Sequence, residues 1–379
     1  MSLPTSSKIM TANIRMFNLG NLRQIDWGLL LLITLLAGIG VLTLYSANRS
    51  LTDTVPYYMK QMTFFPIGVI LALMIMCVDY RFLVSLAPLF YVILNVLLVA
   101  VLLVGVAAKG GQRWLDLGVM RLQPSELSKL ALIFMLAWYF STIGSKIERL
   151  HYFLLTFVIM AVPALLIFKQ PSLSAAVTMV PITITMLYMA GCRIFHLVGL
   201  FAVGGAALPV AWSILKDYQK ERILTFMDPS SDALGSGYHA IQSMITVGSG
   251  GLSGKGYREG TQTFLSYLPE HHTDFIFSLL AEEWGFVGSS VVVLLFLLLF
   301  IRSMMAARTS QDMAGSLLVV GIVTMLAFHV FVNIAITIGI APVTGIPLPF
   351  LSYGRSFYLT TMLAMGVVLS VNTRRSFFD

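Results

Sequence analysis

Apolar residues fall along this chain in blocks of about 20 residues, parted by short polar connections. A block of that length crosses the hydrocarbon of a bilayer as a helix. Ten such helices are predicted, over about 27–47, 62–79, 86–107, 126–143, 152–170, 174–191, 195–215, 275–301, 314–340 and 356–372. The clearest is the third, where Pro88 to Ala108 is almost purely aliphatic. Lys169-Gln170-Pro171-Ser172 parts the fifth from the sixth, because proline removes a backbone donor. Lys216 to Thr273 is too long for a simple connection and predicts a structured cap or re-entrant loop. The expected fold is an all-α polytopic membrane protein. It has one membrane domain over 27–373, with 216–273 as a large extracytoplasmic loop between helices seven and eight. Segments 1–26 and 374–379 flank it.

Composition agrees with that class. Of 379 residues 58% are hydrophobic and only 11% charged, with mean hydropathy +0.87, more apolar sequence than a soluble fold needs. The net charge of +7 comes from bases scattered over the connections, without a Lys/Arg-rich block. This speaks against nucleic acid and suits lipid headgroups, topology and anionic lipid substrates. Cys77 and Cys192 lie in or beside apolar runs far apart in sequence and are expected as buried thiols. The first apolar run, near Trp27, is long enough to span and stay, so no cleavable signal peptide is expected.

Positive residues in short connections set orientation. Lys8, Arg15 and Arg23 precede the first span, and Arg374 and Arg375 follow the last. Arg81, then Lys146 and Arg149, then Arg193, then Arg302 and Arg308, occupy alternate connections. Ten spans place all of these on one side, so both termini are expected in the cytoplasm. Lys109, Arg113, Arg121 and Lys129 gather around one outer connection, against the bias. They are expected to have another purpose.

Two segments concentrate chemistry. In Gln123-Pro124-Ser125-Glu126-Leu127-Ser128-Lys129, Pro124 suits a first helical turn and Glu126 its positive end. Glu126 and Lys129 lie three apart on one face. They predict a local ion pair or, with Arg113, a basic pocket for a diphosphate headgroup. The second segment, Pro269-Glu270-His271-His272-Thr273-Asp274-Phe275, puts two carboxylates and two imidazoles before an apolar run. Thr273 or Asp274 can cap the helix that begins there. Asp274, Ser278 and Glu282 also form a polar stripe on that helix. Glu282 and Glu283 lie about 12 Å into it, where carboxylates need a cavity or a partner. A carboxylate at a membrane-surface cavity can act as general base. His271 and His272 are adjacent and diverge, which makes a poor metal pair. The glycine-rich Gly248 to Gly256 lacks a phosphate-loop pattern and reads as loop structure. His329, inside the ninth run, reads as a packing histidine.

Together these motifs resemble the SEDS family, the group of RodA, FtsW and SpoVE, over about Asp26 to Arg374. The resemblance rests on Gly111-Gln112-Arg113-Trp114-Leu115 with Gln123-Pro124-Ser125-Glu126, and on Gly235-Ser236-Gly237-Tyr238. It rests equally on Pro269-Glu270-His271-His272-Thr273-Asp274-Phe275-Ile276-Phe277 and on Pro347-Leu348-Pro349-Phe350-Leu351-Ser352-Tyr353-Gly354. Gly260-Thr261-Gln262 and Leu224-Thr225-Phe226 look more like RodA than FtsW. The resemblance implies a peptidoglycan glycosyltransferase of the inner membrane that polymerises lipid II with inversion during cell elongation. Its implied partners are a class B penicillin-binding protein and the elongation machinery. Asp274 matches the family's essential aspartate. Arg113, Glu126, Lys129, Glu270, Gln262 and Ser352 are the expected substrate-binding residues. A divalent cation (Mg or Mn) is a possible helper at the diphosphate, with no metal-ligating residues assigned. Two positions depart from the family: Ser172 stands where an aspartate is usual, and Arg355 where a glycine is usual. The competing expectations are a flippase for lipid-linked precursor and a non-catalytic scaffold for a transpeptidase.

Overall fold

A computed structural model of the chain describes residues 25–47, 56–108, 111–116, 121–170, 172–215, 217–232, 235–261 and 272–374. All ten apolar blocks are helical. They form α1 (Trp27–Ala47), α2 (Tyr57–Cys77), α4 (Ala87–Val104), α5 (Pro124–Ile143), α6 (Leu150–Lys169), α7 (Leu173–Met189), α8 (Ile194–Ile214), α11 (Ile276–Arg308), α12 (Met313–Thr337) and α13 (Arg355–Thr373). Short α3 (Tyr80–Ser85) precedes α4, and α9 (Asp217–Met227) and α10 (Ser236–Ser249) structure the large loop. Eight of these helices are long and apolar enough to cross a membrane, and α7 and Ile194–Ala207 are shorter apolar helices.

Burial sorts the bundle into centre and rim. Most of α13 is buried, as are the larger parts of α5 and α12, whereas in aliphatic α4 only Ala87, Leu98 and Val101 are. Centre helices can carry polar side chains that a lipid-facing helix cannot. In α13, Thr360 and Thr361 donate to the carbonyls of Ser356 and Phe357, both at 2.9 Å, so their hydroxyls are satisfied within the helix. Helix α13 packs along α2, where Gly68 and Gly366 leave no room for a Cβ. Small residues of this kind let helices close up in a membrane, where apolar burial gives little drive.

Three boundaries differ from the sequence expectation. Helix α2 starts at Tyr57 rather than about 62, because Pro56 opens it ahead of the apolar block. The third block stops at Val104, and the chain then forms a three-stranded sheet of β1 (Val106–Ala108), β2 (Gly111–Asp116) and β3 (Arg121–Leu122). Helix α11 runs on to Arg308, and Gly285 breaks it at φ +64°. A Cβ at Gly285 would lie 2.7 Å from Leu252 O, so the glycine-rich loop after α10 fills the break.

Four of the described bases used for orientation are held in ion pairs. Arg302 pairs with Asp26 (2.7 Å), Arg81 with Asp312 (2.8 Å), Arg193 with Glu148 (3.2 Å) and Arg374 with Asp79 (3.6 Å). The sheet, the described part of the large loop and residues 338–354 lie at the opposite end from these pairs by the alternation of the helices.

At that end the turn after Pro349 is pressed onto α1. Phe350 is buried with φ +65°, and a Cβ on Gly40 would collide with Phe350 O and lie 2.8 Å from Leu351 Cα. Backbone cannot rotate away as a side chain can. Gly40→Ala is therefore expected to lower thermal stability by about 1–3 kcal/mol and to weaken activity through the displaced turn. Thermal unfolding in detergent checks it.

Candidate active site

Asp274 closes the large loop immediately before α11. The helix cap is Phe275, one residue beyond the Asp274 that the sequence suggested. The backbone here is tied from two sides. Buried Asn333 of α12 donates through Nδ2 to Asp274 O (2.9 Å) and to Ile346 O (2.7 Å). The Ser352 hydroxyl donates to Thr273 O (2.6 Å) and accepts from Leu348 N (2.8 Å), while Tyr353 N donates to His272 O (2.9 Å). Ser352 is 1% exposed and both its bonds are internal. Through these bonds it positions the aspartate's segment. A Cβ on Gly345 would stand 3.5 Å from Asp274 Oδ2, so the glycine keeps the space beside the carboxylate clear.

That carboxylate lines a cavity of about 530 Å³. Arg113 and Trp114 of β2, Arg121, Glu126 and Lys129 of α5, Ser172, Arg222 of α9, His329 and Arg355 share the wall. Arg113 Nε donates to Gln170 O at 3.2 Å, and Gln170 is held in turn by its bond to Leu98 O at 2.8 Å. Residues of β2, α5, α9, α12 and α13 therefore meet around one aspartate, Arg113 and Lys129 among them. Gln262, Glu270 and His271 lie outside the described residues.

Lys129 and Glu126 are 1% and 6% exposed, a pair the membrane interior tolerates only with its partners in place. Lys129 Nζ donates to Glu126 Oε2 (2.8 Å) and to His329 Nε2 (3.0 Å). An ammonium has no acceptor, so Nε2 carries the lone pair. His329 does stack on Phe357, 5.0 Å between centroids at 10°, but packing is not its whole role. Its contact with Lys129 joins residues 200 apart, and no local pattern announces it.

The polar stripe on α11 serves two ends. Ser278 bonds the Ser243 hydroxyl at 2.8 Å, and Glu282 and Glu283 are buried away from the cavity. Lys255 Nζ donates to Glu282 Oε1 at 2.7 Å, and Glu283 Oε1 accepts from Ser46 Oγ and from Arg258 N (3.2 Å). The amides of Lys255 and Gly256 donate to the carbonyls of Glu282 and Glu283, at 3.0 and 3.1 Å. The glycine-rich segment thus uses these amides to satisfy a broken helix, as loop structure.

On the α2 side, Tyr57 stacks on His272 (4.2 Å, 10°) and meets Tyr353 at 4.9 Å. Burial pushes the Tyr353 hydroxyl above its ordinary pKa, while Arg355 beside it pulls the other way. The hydroxyl stays a proton donor at neutral pH. Among the described residues no three His, Cys, Asp or Glu side chains come together to hold a metal ion. His272 is stacked, and Glu126 is bonded to Lys129. These residues do not fit a cation held chiefly by protein, and the chemistry below uses none.

The family model of FtsW, RodA and SpoVE cell cycle proteins matches residues 26–376. The chain is 42% identical to the peptidoglycan glycosyltransferase MrdB of Escherichia coli K12, over 76% of this chain and 78% of that one. It is 40% identical to the stage V sporulation protein E of Bacillus subtilis, over 91% and 96%. Among solved structures, a chain of a peptidoglycan synthase complex that coordinates polymerisation and crosslinking matches with TM-score 0.80 at 32% identity, over 92% and 97%. The rod shape determining protein RodA of Thermus thermophilus matches with TM-score 0.70 at 30% identity, over 94% and 98%. A bundle of apolar helices, an aspartate-centred cavity at one end of it, and these matches over nearly the whole length agree: the chain is a multi-pass membrane protein and belongs to the SEDS family.

Proposed function

We propose that this chain is a peptidoglycan glycosyltransferase that polymerises lipid II at the outer face of the inner membrane during cell elongation. The observation that carries the reading is Asp274, a carboxylate on a clamped backbone, lining a cavity whose wall is otherwise rich in cations. Lipid II bears an α-linked diphosphate on its sugar. Asp274 takes the proton from the acceptor hydroxyl as its oxygen attacks the anomeric carbon from the opposite face. The bond from that carbon to the diphosphate oxygen breaks, and the lipid diphosphate leaves with the electron pair. One new glycosidic bond forms, with inversion. Arg113 and Lys129 stabilise the charge growing on the leaving diphosphate. Glu126 and His329 hold the Lys129 head in place while it does so.

The match to a chain of a synthase complex that coordinates polymerisation and crosslinking supports a partner that crosslinks what this chain polymerises, a class B penicillin-binding protein of the elongation machinery. Both termini lie in the cytoplasm in this reading, with the cavity outside. A reporter fused after Gly251 is expected to be active only outside the cytoplasm; activity confined to the cytoplasm contradicts the orientation.

Polymer formation in detergent separates this reading from a flippase. Lipid II supplied to the purified protein, with no bilayer to cross, should yield glycan strands. A flippase yields none under those conditions.

A further inference from the structure

Arg355 has no role in the mechanism above, yet it lines the same cavity. It is the first residue of α13, at the positive end of the helix dipole, which disfavours a cation. Its neighbours offer little compensation. The guanidinium carbon lies 5.8 Å from the Phe64 ring centre, beside the Tyr353 hydroxyl. Among the described ion pairs none includes Arg355, so the pairing with Asp274 that its sequence position allows is not made. Lys129, by contrast, has Glu126 at 2.8 Å.

Helix geometry separates the two cations. Side chains two residues apart leave a helix about 200° apart. Phe357 points to Lys129 (5.7 Å) and His329, so Arg355 points the other way, onto α2. Arg113 is anchored elsewhere again, on Gln170 at the end of α6. The reaction asks for such a division. It joins two lipid-linked sugars, and each carries a diphosphate: one leaves, the other stays attached to its chain. Both must be in the cavity when the bond forms.

We propose that Arg355, with the Tyr353 hydroxyl, forms a second phosphate-binding subsite on the α2 side of the cavity, distinct from the Arg113–Lys129 wall, for the second lipid diphosphate. A guanidinium suits it because its fork of donors matches phosphate oxygens, and a neutral phenol adds one donor. The subsite rests on the polymerase reading for its second substrate.

The test is binding of undecaprenyl diphosphate to the full chain in nanodiscs, with Asp274→Asn as the background. The probe has no sugar and cannot turn over. Two probes per chain are expected. Arg355→Gln should weaken one binding event about 10- to 100-fold and leave the other, and Arg113→Gln should weaken the other one. Arg355→Lys, which keeps the charge on a similar stem, should weaken that event less than Arg355→Gln and serves where the Gln variant folds poorly. One probe per chain, or both substitutions weakening the same event, overturns the proposal. So does unchanged binding in Arg355→Gln and Arg355→Lys. If phosphatidylglycerol displaces the Arg355-dependent probe at equal concentration, Arg355 is a general headgroup contact and the subsite is refuted. Absence of glycan synthesis by the Asp274 chain would instead refute the polymerase reading, and the two-probe stoichiometry is measured without it.

Discussion

Asp274→Asn is expected to fold as the parent does and to lose glycan synthesis by about 10²–10⁴-fold. The two halves of that statement have separate causes. The fold is safe because residue 274 is held through its backbone, by Asn333. An amide of the same shape fills the same place. The activity is lost because a carboxamide cannot accept a proton at neutral pH. Initial rates from lipid II, taken beside thermal unfolding of the same samples, check both halves. Near-parental synthesis by the Asn variant would remove Asp274 from the mechanism.

Breaking the buried pair should do the opposite and damage the fold. Glu126→Gln leaves the Lys129 ammonium, 1% exposed, without its counter-charge, and Lys129→Met leaves the Glu126 carboxylate without its cation. Each single change is expected to destabilise by about 3–5 kcal/mol, the usual cost of stranding one buried charge. The double change Glu126→Gln with Lys129→Met strands neither and should recover much of that stability. It should not recover synthesis, because the cavity has lost the cation proposed to meet the leaving diphosphate. Thermal unfolding and rates of the three variants form the cycle. A Glu126→Gln variant that unfolds at the parent's temperature would mean that the pair is not buried in the membrane-bound protein.

Much of this arrangement was legible in the sequence, for physical reasons that differ by region. A membrane span must be apolar over its whole length, so the ten blocks announced themselves. The sheet did not: Val106–Ala108 continues the aliphatic run of α4, and only its pairing with Gly111–Asp116 reveals a strand. Gly285 looked like one more small residue on a long helix, because the loop that fills the break comes from about 30 residues earlier. Within the site, Asp274, Arg113 and Lys129 stood out as charges where apolar residues or topological bias would exclude them. Tyr57, His329 and Asn333 did not stand out. Each is ordinary in its own helix and acquires a role only through a partner from a distant segment. Ser352 belongs to a motif that marks the site, and its hydroxyl holds Thr273, a tie that no local pattern shows.

The most direct test of the central claim is the glycan ladder made from lipid II by the purified chain and by Asp274→Asn, at concentrations where both bind lipid II equally, with the class B partner added to each. A ladder from the parent and none from the variant is the predicted result. Equal ladders from both, or no ladder from the parent in the presence of its partner, would contradict it.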